Sequence, residues 1–244
     1  MEIDRRLKNE VAHGKYILEK GEQIWNWSSA AGKLRWARRC ELFRGVLGGD
    51  GKKILEIGCG TGLFTLEIAK TGNEIIAIDI SNDLLGVARK RVYGDNVEFR
   101  IENAYQTSFI DGFFDFIVGS SVLHHLDVDR AIREFYRLIK PGGEIIFTEP
   151  NMLNPQIAIQ KNIPFIKKMV GDSPDETAFI RWNLASKLAK AGFSEVEIVP
   201  FDFLHPAIPG FCVNMADLLL RSLERLPVLR EISGSLIIRA SKKI

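Results

Sequence analysis

A glycine-rich turn directly after an apolar run is the feature that most constrains this chain. The run at residues 54–57 is followed by Gly58-Cys59-Gly60-Thr61-Gly62. Glycines allow the backbone to turn sharply and to approach a ligand closely, which a Cβ atom would obstruct. Asp79 follows 21 residues after Gly58, at the end of the next apolar run, where a carboxylate can accept hydrogen bonds from both hydroxyls of a ribose. The pattern predicts a Rossmann-like α/β domain that binds an adenosine-containing ligand.

The rest of the chain alternates β-rich runs with amphipathic stretches, which is typical of a sheet built from βα units. Strands are predicted at residues 53–57, 74–79, 97–101, 114–119, 144–148, 195–199 and 235–239. Helices are predicted at residues 62–70, 82–91, 128–139 and 181–191. The sequence Lys140-Pro141-Gly142-Gly143 cannot continue a helix, so we expect it to end the third helix and to form the turn before the fifth strand.

The length of 244 residues suits one elaborated domain. We expect a helical cap segment at residues 1–49 and a Rossmann-like domain at residues 50–244, with insertions at about 151–176 and 200–231. Long insertions usually form lids or binding loops, so a cap over the sheet is predicted, with simple covering of the sheet edge as the alternative.

Aromatic residues are concentrated in the first segment and in the second insertion. They are Tyr16, Trp25, Trp27, Trp36, Phe201, Phe203 and Phe211. They predict either a roofed apolar pocket that excludes water or ordinary packing beneath long loops. The stretch 216–223 could also be an interfacial helix for a lipid-like substrate.

Composition excludes several classes of protein. No apolar stretch is long enough to span a membrane, and the N-terminus has no apolar run of the kind found in secretory signals, so we expect a cytoplasmic protein. The three cysteines have no paired spacing, which predicts no disulfide framework and no metal site. A net charge of +2 is too small to require a polyanionic partner, and no nucleic acid is expected.

One basic cluster leaves two interpretations open. Its members are Lys33, Arg35, Arg38, Arg39 and Arg44. Such a cluster is most often a solvated helix face. The functional alternative is that one arginine turns inward to an anionic group of a ligand.

Glycine spacing bears on the identity of the ligand. The dinucleotide fingerprint requires G-x-G-x-x-G, whereas this chain has Leu63 at the third glycine position. The match to an NAD(P)-dependent oxidoreductase is therefore imperfect, and that function is kept only as an alternative.

The motifs resemble those of the class I S-adenosylmethionine-dependent methyltransferases, in particular the small-molecule group that includes the ubiquinone and menaquinone biosynthesis methyltransferases. The resemblance covers roughly residues 52–151 and the terminal strands. It rests on Glu56-x-Gly58-x-Gly60-x-Gly62, Ile78-Asp79-Ile80-Ser81, Glu102-Asn103-Ala104, the run 114–118 followed by 120–126, and Lys140-Pro141-Gly142-Gly143.

The resemblance implies a doubly wound, mostly parallel sheet of seven strands whose last strand is antiparallel. It implies S-adenosyl-L-methionine as cofactor, S-adenosyl-L-homocysteine as product, and a small-molecule acceptor, with an apolar or lipid-like acceptor as one option. The implied cofactor-binding residues are Glu56, Gly58, Cys59, Gly60, Gly62, Asp79, Ile80, Asn103, Ala104 and Ser120. Asn103 departs from the usual Asp, and its amide can accept a hydrogen bond but carries no charge.

Candidate catalytic residues follow from the ends of the fourth and fifth strands, which are neighbours in the family's sheet. His124 or His125 with Glu149 could act as a base and its orienting carboxylate, which slightly favours O-methylation. The alternative is that the paired histidines cap or pack the next helix. His205 is a further candidate base or a bystander.

Two other functions remain open. One is a non-catalytic S-adenosylmethionine-binding module. The other is a nucleic-acid methyltransferase, although the sequence Gly119-Ser120-Ser121-Val122 lacks the prolines of the usual amino-methylation box.

Overall fold

The computed structural model describes residues 2–21, 26–49 and 51–244, so that Trp25 lies outside the described residues. Within this range the chain forms one seven-stranded sheet. The strands are β1 (Lys53–Ile57), β2 (Glu74–Asp79), β3 (Val97–Ile101), β4 (Phe114–Ser120), β5 (Ile139–Pro150), β6 (Ser194–Phe201) and β7 (Ser235–Ser241). The helices are α1 (Glu2–Lys20), α2 (Ala30–Leu47), α3 (Leu63–Ile68), α4 (Asn82–Arg91), α5 (Val128–Leu138), α6 (Pro155–Asn162), α7 (Pro164–Met169), α8 (Arg181–Lys190), α9 (Val213–Leu223) and α10 (Pro227–Arg230).

The strand order is β3-β2-β1-β4-β5-β7-β6, and β7 runs antiparallel to both of its neighbours. The predicted fold class is therefore confirmed. The order reverses direction between β1 and β4, which are parallel neighbours. Ligands of open α/β sheets bind outside the carboxyl ends of the strands at such a switch point.

Strand β5 differs from the prediction because it begins at Ile139 instead of residue 144. Ile139 pairs with Phe114, and pairing resumes only between Glu144 and Phe116. The residues between form an irregularity in the strand, with Gly142 in the left-handed region at φ +77°. The proline and glycines thus interrupt a strand that has already started.

Apolar side chains cover both faces of the sheet. Ile54 packs with Phe43 and Phe64 in one cluster, whereas Leu55 packs with Phe135 and Phe147 in the other. Successive side chains of a strand point to opposite faces, so a continuous apolar run on β1 serves both cores. This double burial fixes the strand ends from which the candidate site is built.

The N-terminal helices contact both insertions. On α2, Arg35 lies 2.7 Å from Asp202 of the second insertion, and Arg38 forms a bidentate pair with Glu224. On α1, Glu10 accepts a hydrogen bond of 2.8 Å from the Ser173 hydroxyl of the first insertion. None of the described helices combines the length and the apolar composition that crossing a membrane requires.

Candidate functional site

A cavity lies at the carboxyl ends of β1, β2 and β4. Helix α1 contributes part of its wall, and Trp27 and Trp36 line it as well. Nine of the ten residues predicted to bind the cofactor are among its lining residues, Gly62 being the exception. One of the three candidate catalytic residues, His125, also lines it, whereas His124 and Glu149 are not among the lining residues.

The glycines of the turn after β1 have different roles. All three have positive φ, with values of +62° at Gly58, +53° at Gly60 and +78° at Gly62. A Cβ atom on Gly58 would lie 2.4 Å from Val122 Cγ2, so that position permits β1 and the loop after β4 to approach each other. A Cβ atom on Gly62 would lie 3.0 Å from the Ala88 Cβ, which indicates helix packing rather than ligand contact.

Asp79 holds the glycine turn in place. Its Oδ2 accepts a hydrogen bond of 2.9 Å from the Gly60 amide, and its Oδ1 accepts one of 2.8 Å from the Ser81 amide. Burial raises the pKa of this carboxyl above its usual value, and hydrogen bonds from the backbone of Ser81, Gly60 and Ile80 oppose that rise. Each carboxylate oxygen keeps a lone pair for a further donor, such as a ligand hydroxyl.

Glu56 is a buried acid that has no cationic partner among the described residues, and only the neighbouring Thr65 opposes the rise of its pKa. Glu56 is 1% exposed, lines the cavity, and its Oε2 forms no hydrogen bond with any described residue. Burial and the nearby charge of Asp79 raise the pKa of Glu56 to about 8. A cationic group in the cavity would supply the partner that this carboxylate lacks.

Asn103 uses its side-chain oxygen within its own turn. Asn103 Oδ1 accepts a hydrogen bond of 3.0 Å from the Tyr105 amide. A second lone pair of that oxygen remains for a ligand amino group. Cys59 is buried, and burial raises the pKa of its thiol well above the usual value, so it stays protonated at neutral pH.

His124 lies between two carboxylates. Its Nδ1 lies 2.6 Å from Glu149 Oε2, and its Nε2 lies 3.3 Å from Glu176 Oε1. Burial alone would lower the pKa of His124, but the two carboxylates outweigh it and raise this pKa to about 9. The ring is therefore a buried imidazolium at neutral pH, with both nitrogens engaged.

His125 faces the cavity beside α1. Its Nδ1 lies 3.0 Å from Glu10 Oε2, and its ring centroid is 5.4 Å from that of His13. Burial and the neighbouring His125 lower the pKa of His13. Two imidazoles and a carboxylate thus gather at one end of the cavity.

His13, His125 and Glu176 have ligand atoms within 4.8 Å of one another, a grouping that could hold a metal ion. The sequence offered no metal-ligand spacing because these residues come from three distant segments. The Lys161 ammonium already pairs with the same Glu176 oxygen that faces His124, so a metal would compete with a cation in place.

Sequence reasoning missed Glu10, His13 and Glu176. They lie in α1 and the first insertion, outside the motifs, and only tertiary packing brings them to the strand ends. His205 is exposed, does not line the cavity, and accepts a hydrogen bond of 3.1 Å from the Ala207 amide. Of the aromatic residues, Trp27 and Trp36 line the cavity, whereas Phe211 is 93% exposed.

The basic cluster on α2 divides into three kinds of residue. Lys33 and Arg44 are exposed, and Arg35 and Arg38 pair with acids of the second insertion. Arg39 is buried and donates to serine hydroxyls at the ends of β4 and β7. The structure thus places one arginine of the cluster, Arg39, in the interior and the other four members at the surface or in ion pairs.

Comparison with known proteins adds independent information. A family described as "Methyltransferase domain" matches residues 55–147. Phosphoethanolamine N-methyltransferase 3 of Arabidopsis thaliana is 30% identical over 154 residues, which cover 60% of this chain and 29% of that protein. A demethylmenaquinone methyltransferase of Bacillus cereus is 27% identical over 176 residues, which cover 63% of this chain and 74% of that protein.

Solved structures share the fold. An S-adenosylmethionine-dependent methyltransferase from Thermotoga maritima has a TM-score of 0.69 at 21% identity, covering 94% of this chain and 98% of that one. Phosphoethanolamine N-methyltransferase 2 of Haemonchus contortus, in complex with S-adenosyl-L-methionine, has a TM-score of 0.64 at 19% identity, covering 86% of this chain and 53% of that one. The chain thus spans about half or less of the two phosphoethanolamine enzymes.

Proposed function

We propose that the chain is a class I S-adenosylmethionine-dependent methyltransferase, which transfers the methyl group of S-adenosyl-L-methionine to a small molecule held in the cavity. One observation carries this proposal. The glycine turn, the carboxylate of Asp79 and the buried Glu56, which has no cationic partner among the described residues, line a single cavity at the switch point of the sheet.

The described residues fit the cofactor. Asp79 would accept hydrogen bonds from the ribose hydroxyls, and Glu56 would face the ammonium of the methionine part. Ile80, Asn103 and Ala104 would contact the adenine. When bound, the cofactor supplies a methyl group activated by a positively charged sulfur. The chain's own residues have to position the acceptor and manage any proton it loses.

The acceptor would occupy the part of the cavity beside Ser120, Ser121 and α1. If the acceptor is a hydroxyl, His125 is better placed than His124 to take its proton, because His125 lines the cavity and His124 is held between two carboxylates. The acceptor oxygen would bond to the methyl carbon as the carbon–sulfur bond breaks. Glu10 would stabilise the resulting imidazolium.

This assignment revises the catalytic pair. Glu149 and His124 would act as positioning residues that hold the turn bearing His125, and Glu10 would replace Glu149 as the orienting carboxylate. The matched relatives methylate phosphoethanolamine and demethylmenaquinone, as their names state, so acceptors of different chemistry are compatible with this domain. A cytoplasmic location stays a prediction from the sequence.

Ligand binding tests the proposal. We expect calorimetry to show binding of S-adenosylhomocysteine and no comparable binding of NAD. Replacement of Asp79 by Ala should weaken S-adenosylhomocysteine binding about 10- to 100-fold, because ribose hydroxyls lose their acceptor and the Gly60 amide is released. Asp79→Asn, which keeps one oxygen acceptor, should lose less.

Turnover tests the second half of the proposal. The protein and S-adenosylmethionine would be incubated with a panel of hydroxyl, amine and quinol acceptors, with S-adenosylhomocysteine formation as the readout. Binding without turnover on any acceptor would favour a non-catalytic binding module. Binding of NAD in place of both adenosyl ligands would overturn the assignment.

A further inference from the structure

Arg39 is a buried cation with no carboxylate partner. It is 3% exposed, and no acid among the described residues forms a salt bridge with it, whereas Arg35 and Arg38 on the same helix each have one. Taking a guanidinium out of water costs several kcal/mol unless a counter-charge compensates it. Arg39 therefore differs from its neighbours in a way that packing alone does not explain.

The hydrogen bonds of Arg39 lead toward the cavity. Its Nη1 donates to Ser121 Oγ at 2.8 Å and to Ser120 Oγ at 3.2 Å, and its Nη2 donates to Ser235 Oγ at 3.2 Å. Its guanidinium carbon lies 5.3 Å from the centre of the Trp27 ring. Ser120, Ser121 and Trp27 line the cavity, whereas Arg39 lies behind the two serines and is not among the lining residues, so it would act on a ligand through their hydroxyls.

The serine hydroxyls are arranged as donors. A hydroxyl that accepts from a guanidinium keeps its own proton to donate elsewhere. Ser120 Oγ also accepts from the Thr148 hydroxyl at 3.3 Å. Ser121 has φ +59°, a conformation that costs energy in a residue other than glycine and that is often retained at ligand sites.

The positive charge of Arg39 is not neutralised by the acids nearest to it. Burial and the nearby Arg35 lower the pKa of Arg39 to about 10, so the group is still charged at neutral pH. Asp202 and Glu149 act on it from a distance, but Asp202 pairs with Arg35 and Glu149 with His124. The Nε atom of Arg39 is buried and forms no hydrogen bond with a described residue.

We propose that Arg39 and the hydroxyls of Ser120 and Ser121 form a subsite for an anionic group, a carboxylate or a phosphate, at the β4 side of the cavity. The anion has two sources: the carboxylate of the cofactor's methionine part, or an acidic group on the acceptor. The inference rests on the proposed function only for the choice of probes.

Two titrations test the subsite. The first compares S-adenosylmethionine with decarboxylated S-adenosylmethionine, which differs only in the carboxylate. The second titrates inorganic phosphate into protein saturated with S-adenosylhomocysteine. Both are run on the parent chain, Arg39→Gln and Arg39→Lys, with Arg44→Gln as the matched control on an exposed position of the same helix.

If Arg39 binds the cofactor carboxylate, Arg39→Gln should weaken S-adenosylmethionine binding about 10- to 100-fold and leave the decarboxylated form unchanged. If it binds an acidic group of the acceptor, cofactor affinity should stay constant while saturable phosphate binding disappears in Arg39→Gln. Arg39→Lys should retain part of either effect. Because two ligands are compared within one variant, a general loss of stability cannot imitate these results.

The proposal is wrong if Arg39→Gln leaves the affinity ratio of the two cofactor forms and the binding of phosphate as they are in the parent chain. Absence of any adenosyl ligand binding to the parent chain would instead refute the proposed function. The phosphate titration on the unliganded protein would then decide whether Arg39 forms an anion subsite.

Discussion

Glu149 Oε2 lies 2.6 Å from His124 Nδ1, and Glu149 Oε1 accepts hydrogen bonds from the amides of Val122 and Leu123. One side chain near the end of β5 therefore fixes the turn that follows β4. That turn places the next residue, His125, at the cavity. The ion pair of His124 and Glu149 thus links the ends of β4 and β5, and both of its side chains are buried.

The charge on His124 should make stability depend on pH. A histidine has a pKa of about 6.5 in an unfolded chain, and that of folded His124 is raised to about 9. Its contribution to the free energy of unfolding is fully present below about pH 6.5 and is lost as the pH rises through 9. At about 1.4 kcal/mol per pKa unit, the loss is on the order of 3 kcal/mol.

Urea unfolding between pH 6 and 9.5 would measure this loss. His124→Gln should be less stable at pH 6 and should lack the part of the decrease that His124 causes, keeping only the part that Glu56 contributes below about pH 8. Glu56→Gln is the control, because Glu56 titrates in an overlapping range and its removal should leave the His124 contribution intact. An equal pH profile for the parent chain and His124→Gln would contradict the buried imidazolium.

Glu56 should make cofactor affinity depend on pH. In the free protein its pKa is raised to about 8, and a bound ammonium would lower it, so that binding releases a proton below pH 8. Affinity for S-adenosylhomocysteine should therefore rise between pH 6 and 8, by at most about tenfold per unit. Calorimetry in buffers of different ionisation enthalpy counts the released protons. Glu56→Gln should bind more weakly and release none from this site, whereas proton release equal to that of the parent chain would exclude Glu56.

The two histidines should differ in their effect on turnover. For a hydroxyl acceptor, His125→Gln should lower turnover about 10²- to 10⁴-fold with little change in cofactor affinity, because a general base contributes that much. Glu10→Gln should act in the same direction. His124→Gln should mainly lower the free energy of unfolding. His205→Gln should change neither turnover nor cofactor affinity. Near-normal turnover of His125→Gln would point to catalysis by positioning and to an amine or an enolate-like carbon as acceptor.

Cofactor binding should protect the proposed cap. Helix α1 and Trp27 line the cavity, and α2 holds the second insertion through Arg35 and Arg38. Hydrogen exchange of amides at residues 10–17, 27–36 and 200–231 should slow when S-adenosylhomocysteine is added, while α8 serves as the internal reference. Arg38→Gln should restore faster exchange at 200–231 only. If the exchange rates of all three segments stay the same when the ligand is added, the prediction of a cap is wrong.

The sequence was sufficient for the sheet because each strand carries its own local signal. Apolar runs ending in a glycine turn or in Asp79 located β1 and β2 with their observed bounds. The predicted start of β5 was wrong because Pro141 and the two glycines after it indicate only that regular structure is interrupted. The same residues can precede a strand or, as here, lie within one.

The candidate site was only partly predictable for a different reason. Residues of the glycine turn and of the strand ends follow directly from the fold, and nine of them line the cavity. Glu10, Glu176 and Arg39 reach the site through contacts between segments more than fifty residues apart, such as the 2.8 Å bond between Ser173 and Glu10. The spacing of apolar and polar residues along the chain does not predict such contacts.

The ion pairs Arg35–Asp202 and Arg38–Glu224 have a consequence for domain grafting. These ion pairs connect α2 directly to the second insertion, although about 150 residues separate the two segments in the chain. A hybrid protein that takes the insertion from a relative but keeps this α2 would leave two half-buried arginines facing foreign side chains. Exchange of acceptor preference between this protein and a similar methyltransferase should therefore succeed only when both segments are transplanted together.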